Sequence, residues 1–149
     1  EAIAADFLAS RGFENMRQIS RQVHEGVAVI GFACEQDGVL MYPDQVVVRV
    51  ALDTGRVDGF EGTNYQVFHR ARRIAPPGVT EAQARAALNP RLDVTASRLA
   101  VIMDDFYKET LVYEFRGTLD DQTYLVYVNA DTGEEEKIKR VGPQGIETV

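Results

Sequence analysis

Asp-Thr-Gly occurs twice in this chain, at Asp53-Thr54-Gly55 and at Asp131-Thr132-Gly133, and each time it follows an alternating apolar run. Val46, Val48 and Val50 precede the first triplet. Tyr124, Val126 and Val128 precede the second at the same offset of 78 residues. A period of two marks a half-buried strand. Asp and Gly are what a chain reversal requires there, because Asp caps the turn with its side chain and Gly accepts a positive φ. Both triplets are therefore expected to be hairpin turns, with Arg56 to Phe60 and Glu134 to Val141 returning as strands. Repetition at a fixed period predicts one supersecondary unit used twice.

The remaining pattern fits two units. Residues 1–11 place Ile3, Phe7 and Leu8 at helical spacing among alanines, and Gly12 stands where a C-terminal cap belongs. Met16 to Val23, Val27 to Glu35 and Val39 to Tyr42 read as strands, with a turn at Gln36-Asp37-Gly38. Pro43-Asp44 interrupts the next strand and predicts a bulge or an edge position. Residues 63–75 predict a short helix, with Tyr65, Phe68, Ala71 and Arg72 on one face, ending before Pro76-Pro77-Gly78. Thr80-Glu81-Ala82-Gln83 has the form of a capping box and opens a helix running to Asn89-Pro90. Strands follow at Arg98 to Met103, Thr110 to Arg116 and Gln122 to Asn129. The fold class is α+β, with two tandem units, each one helix packed on an antiparallel sheet of about four strands. The boundaries are 1–62 for the first unit, 63–78 for a connecting helix and Pro-Pro-Gly linker, and 79–149 for the second. With one helix per sheet, one sheet face should stay partly open to a partner.

Composition narrows the chemistry. A net charge of −7 disfavours nucleic acid, which requires a basic face. No run of apolar residues is long enough to span a bilayer. The chain opens with Glu1 inside what reads as a helix, so it is expected to be a fragment of a longer protein. The single cysteine, Cys34, lies in an apolar stretch and reads as a buried thiol. Two histidines, His24 and His69, are far apart in sequence and make no ligand cluster with it, so neither a metal nor a cofactor is expected. The acidic runs Asp104-Asp105, Asp120-Asp121 and Glu134-Glu135-Glu136 lack the spacing of a calcium loop.

Paired Asp-Thr-Gly turns are also the apparatus of aspartic proteases, in which two carboxylates share a proton. Here Arg56 and Glu134 stand where that motif carries a small residue, and the apolar-apolar-Gly segment Val29-Ile30-Gly31 precedes the first turn instead of following it. Asp53, Thr54, Gly55, Asp131, Thr132 and Gly133 are therefore read as structural turns, and no catalytic residue is expected. The surface segment of interest holds Tyr65, His69, Arg70, Arg72 and Arg73. Tyr and Arg are enriched at binding hot spots, which makes these residues candidate partner contacts. The other reading is that Tyr65 docks the helix and the arginines are solvated or paired with the acidic second half.

Each half resembles the PepSY module in its Ala-rich helix and its strand ending in Val48-Arg49-Val50-Ala51-Leu52-Asp53-Thr54-Gly55 or Val126-Tyr127-Val128-Asn129-Ala130-Asp131-Thr132-Gly133. The longer pattern also holds Tyr42-Pro43-Asp44, Gly59-Phe60, Asn64-Tyr65, His69, Arg72-Arg73 and Tyr113-Glu114-Phe115-Arg116-Gly117. It resembles the C-terminal region of the YpeB family of spore germination proteins. The resemblance implies a non-enzymatic binding module that stabilises, localises or restrains a SleB-like spore cortex-lytic enzyme. It also implies a place on the outer side of the spore inner membrane, through an N-terminal anchor absent from this fragment. The alternatives kept open are a propeptide-type peptidase inhibitor and a structural or self-associating spacer, including a homodimer formed by strand or domain exchange.

Overall fold

A computed structural model of the chain describes residues 1–142 and 145–148. The fold is α+β. The chain forms two compact units, Glu1–Ala71 and Arg72–Val149.

The first unit runs α1 (Ala2–Ser10), β1 (Met16–His24), β2 (Val27–Gln36), β3 (Val39–Ala51), β4 (Val57–Glu61) and α2 (Thr63–Phe68). Its strands pair antiparallel in the order β1-β2-β3-β4. The helix α1 ends as its Gly12 requires. Gly12 sits at φ 83°, its N–H donates to Ala9 O, and the Phe13 N–H donates to Leu8 O. That is the two-bond cap a left-handed residue allows. Ala4 and Leu8, one turn apart, are fully buried against Ile30, Phe32, Val46 and Val48. Leu52, which continues the alternation in sequence, is 50% exposed because β3 stops at Ala51 and the turn begins.

At Pro43-Asp44 the structure makes a bulge. Gln45 pairs with Ala33 and Met41 pairs with Cys34, so residues 42–44 have no partners on β2. β3 pairs with β2 on either side of this point and with β4 over Val47 to Val50, so a bulge is how this strand holds a proline that cannot donate.

The second unit runs α3 (Glu81–Arg85), β5 (Asp93–Met103), β6 (Glu109–Leu119), β7 (Gln122–Asn129), β8 (Glu135–Gly142) and β9 (Gly145–Thr148), each strand antiparallel to the next. The Thr80 capping box forms as expected: the Gln83 N–H donates to Thr80 Oγ1, and the Thr80 N–H donates to Gln83 Oε1. Regular α-helix stops at Arg85, well short of Asn89-Pro90. The chain then tightens into i→i−3 bonds from Ala86, Ala87 and Leu88. Ala84 and Leu88 seat this short element on Tyr113, Phe115, Val126 and Val128.

Two further expectations are corrected. The segment 63–75 is helical only to Phe68. Its N-cap, Gly62, offers no side-chain cap, and Thr, Asn, Tyr, Val and Phe are weak helix formers. His69 is already extended, at ψ 123°. Tyr65, Phe68, Ala71 and Arg72 therefore do not share a helical face. The second correction concerns the open sheet face. On β6 and β7, Val112 and Tyr127 are 0% exposed and point opposite to Tyr113, Phe115 and Val126, so the centre of this sheet is buried on both sides.

Candidate functional site

The two Asp-Thr-Gly turns share one backbone design. Gly55 and Gly133 take φ of 67° and 77°. The Gly55 N–H donates to Ala51 O at 2.8 Å, and the Gly133 N–H donates to Asn129 O at 2.9 Å. Thr54 Oγ1 accepts the Arg56 N–H, and Thr132 Oγ1 accepts the Glu134 N–H. The carboxylates have different tasks. Asp53 Oδ1 accepts the N–H of Thr54 within its own turn. Asp131 Oδ1 accepts the N–H of Gly78, in the segment that leads to α3, and the turn itself is capped by Asn129 Oδ1, which takes the N–H groups of both Asp131 and Thr132. Gly78 lies so close that an added Cβ would meet Asp131 O at 2.9 Å. Each carboxylate holds backbone in its own unit, which is a structural role and no basis for a shared catalytic proton.

The candidate partner contacts divide. In the second unit, the Arg72 side chain is 6% exposed and donates from Nε and Nη2 to the two carboxylate oxygens of Glu109, both at 2.9 Å. A bidentate pair so withdrawn from water fixes structure. Arg70 and Arg73 are exposed. In the first unit, Tyr65 packs edge-on against Phe13, with centroids 4.9 Å apart, and joins the core below α1. Burial raises the Tyr65 hydroxyl above the ordinary tyrosine range, and negative charge at Cys34 and Asp44 adds to the rise.

His69 is where sequence reasoning fell short. Its ring stacks on Tyr65 at 4.2 Å, with 12° between planes, and its Nδ1 lies 2.8 Å from Asp44 Oδ2. Asp44 is completely buried. Cys34 is buried beside them, and one ligand-type atom from each of Cys34, Asp44 and His69 lies within 4.8 Å of the other two. The three residues come from β2, the β3 bulge and the segment after α2, and they line a cleft of about 380 Å³ together with Asn15, Glu35 and Arg70. Spacing in sequence hid this cluster. The only available signal was Pro43, whose bulge turns Asp44 inward. A Cys, a His and an Asp also suggest thiol hydrolysis, but the Cys34 Sγ is directed at the carbonyl oxygens of Glu14 and Glu35, which would repel an oxyanion.

The acidic runs do loop work. Asp104 Oδ1 accepts the N–H groups of Phe106 and Lys108, and Asp120 pairs with Arg91 at 2.6 Å. No helix among the described residues is long and apolar enough to cross a membrane.

Comparison with known proteins places this architecture. Residues 1–75 match the family described as YpeB sporulation, PepSY1 and PepSY2 domains. Residues 78–139 match the family described as Peptidase propeptide and YPEB domain. This chain belongs to the YpeB sporulation family, and neither matched description is of a catalytic domain. It is 40% identical over 138 residues to Sporulation protein YpeB of Halalkalibacterium halodurans and 35% identical over 140 residues to that of Bacillus subtilis. Each alignment covers 93% of this chain and 31% of the relative, so the chain spans under a third of their length. The solved Bacillus megaterium YpeB C-terminal domain superposes with a TM-score of 0.87 at 36% identity, covering 93% of this chain and 62% of that one.

Proposed function

We propose that this chain is a non-enzymatic binding module of a spore germination protein, built from two tandem PepSY units, that holds or restrains a SleB-like cortex-lytic enzyme. The observation that carries the reading is the family match along nearly the whole chain, its second part falling in a family described by peptidase propeptides. A propeptide acts by occupying a hydrolase, which is the physical task the reading assigns. The carboxylates of both Asp-Thr-Gly turns are taken up in backbone hydrogen bonds, in keeping with a binding role. The partner contact is assigned to the exposed Arg70 and Arg73 and to the outer edge of β1. Among the described residues β1 pairs only with β2, and Arg17, Gln18, Arg21 and Gln22 lie along it, exposed. An unpaired edge of this kind accepts a strand from a partner or from a second copy of the chain. The module would work at the outer side of the spore inner membrane, anchored by sequence upstream of Glu1.

The test is binding of the 149-residue chain to the cortex-lytic enzyme in a label-free assay. Saturable binding that weakens when Arg70 and Arg73 are both replaced by Glu, or when a proline at Gln18 spoils the β1 edge, supports the reading. No binding at high micromolar concentration ends it for this region. The peptidase-propeptide family favours a second reading, inhibition of a protease, and a panel of secreted and spore proteases unaffected by the chain would remove it.

A further inference from the structure

The cluster of Cys34, Asp44 and His69 has no part in the binding role above. We propose that it is a site for a thiophilic divalent cation of the zinc class, with Cys34 Sγ, an imidazole nitrogen of His69 and a carboxylate oxygen of Asp44 as its protein ligands.

Three ligand types arrive from separate segments, and their ligand atoms all lie within 4.8 Å of one another. A zinc-like ion takes sulfur at about 2.3 Å and nitrogen or oxygen at about 2.0–2.2 Å, so one ion can reach all three after small adjustments. The bulge at residues 42–44 is what permits this, because it releases Asp44 from the ladder beside Cys34. Bulges are a recurrent way of aiming a side chain at a site.

Orientation and charge agree. Stacking on Tyr65 and the 2.8 Å contact with Asp44 fix the plane of the imidazole before any ion arrives. Asp44 is completely buried and already meets His69, and a divalent ion would carry the charge that balances this carboxylate together with a thiolate. His69 keeps 39% of its side chain exposed on the cleft, so an ion has an entrance and a fourth position for water. On coordination the Cys34 thiol gives its proton to solvent, and the sulfur turns from the carbonyls of Glu14 and Glu35 to the ion. Thiolate and imidazole together select zinc, cobalt or copper over magnesium and calcium.

The experiment is a titration of the reduced 149-residue chain with cobalt(II), following the thiolate-to-cobalt charge-transfer absorption, with displacement by zinc. One equivalent should saturate the band, zinc should remove it, and a large excess of magnesium should leave it. Cys34→Ser should abolish the band. His69→Gln should weaken cobalt binding by at least about tenfold. His24→Gln, at a histidine whose side chain is 79% exposed, should bind as the parent does. The proposal fails if the parent gives no band at millimolar cobalt. It fails equally if folded His69→Gln binds like the parent or if His24→Gln loses the site. Circular dichroism confirms the fold of each variant, and the parent titration decides even where a variant does not fold.

Discussion

The two units build one architecture and lengthen different parts of it. In the first, the core ladder position Phe32–Val46 is followed by a long arm, residues 33–45, with the bulge and the Asp37-Gly38 turn. In the second, the matching position Gly117–Tyr124 is followed only by residues 118–123 and the tight Asp120-Asp121 turn. Cys34 and Asp44 both belong to the extra arm. Among the described residues each unit also buries one carboxylate, Asp44 in the first and Glu114 in the second. Arg98 answers Glu114 at 2.8 Å with a permanent charge. A histidine answers Asp44, and a histidine can also ligate metal. The repeat thus preserves a frame, and the chemistry that distinguishes the first unit lies where the frame was extended.

That comparison can be broken most forcibly in the cores. The ladder position that carries Phe32 in the first unit carries Gly117 in the second, where a Cβ would meet Asp93 O and Leu92 Cγ at 2.8 Å. One unit fills the position with a ring and the other closes it with the chain at the start of β5. Phe32→Ala should cost about 3–5 kcal/mol, as large-to-small changes in a packed core do. Gly117→Ala should cost about 1–3 kcal/mol through overpacking. Urea unfolding of both variants checks the pair, and a Gly117→Ala protein as stable as the parent would show that Leu92 gives way freely.

The turns are the next comparison. In the first unit Ala51 stands where the second has Asn129, whose side chain takes two backbone N–H groups and donates to Glu136 Oε1 at 2.9 Å. Asn129→Ala should therefore cost about 0.5–1.5 kcal/mol by chemical denaturation, although the triplets themselves are identical. An unchanged midpoint would mean that Asp131 can take over the cap as Asp53 does.

The repeat, the turns and the first helix were legible because each depends on neighbours in sequence: alternation, a Gly at positive φ, a capping box. The Cys34–Asp44–His69 cluster was not, because it joins residues 10 and 25 positions apart across a bulge whose depth only the paired strand defines. The helix over 63–75 failed for a related reason. Its second half leaves the helix where His69 reaches Asp44, a tertiary contact that local spacing does not contain. Likewise, an alternating strand can be buried on both faces, as β6 is, when packing covers its polar positions too.

Each unit holds a tyrosine whose hydroxyl is raised above its ordinary range by desolvation, the half-buried Tyr65 in the first and the buried Tyr113 in the second. Tyr113 also donates to Val79 O at 2.8 Å. A raised folded value means the folded state keeps a proton that the unfolded chain loses. The associated stability is complete below about pH 10 and drains away as pH climbs through the folded value. Thermal midpoints measured from pH 8 to 11 should fall at the alkaline end, and Tyr113→Phe should flatten part of that fall. A variant that falls as steeply as the parent would assign the whole effect to other groups.

The smallest effect comes from one ladder position that the repeat gives opposite charge. Val47 pairs with Glu61 on β4, and its counterpart Leu125 pairs with Lys139 on β8. The Glu61 carboxyl is held below its ordinary range by hydrogen bonds from Thr63, so its contribution is present above the unfolded value and disappears as pH falls through the folded one. Lys139 is lowered first by burial and then by Lys137, with Glu114 opposing. A lowered lysine means that the fold disfavours the charged amine. The cost persists at every pH below the folded value and fades as pH rises through it towards the unfolded value. Its ammonium lies 5.5 Å from the Tyr127 ring centroid, an attraction that offsets part of the cost. Lys139→Met keeps the aliphatic contacts and removes the charge. It should stabilise the protein at pH 7 by up to about 0.5 kcal/mol, and the gain should vanish in strong base, whereas Glu61→Gln should destabilise at pH 7 and do nothing in acid. If Lys139→Met unfolds earlier than the parent at pH 7, the tyrosine contact outweighs desolvation, and both charges at this shared position favour the fold.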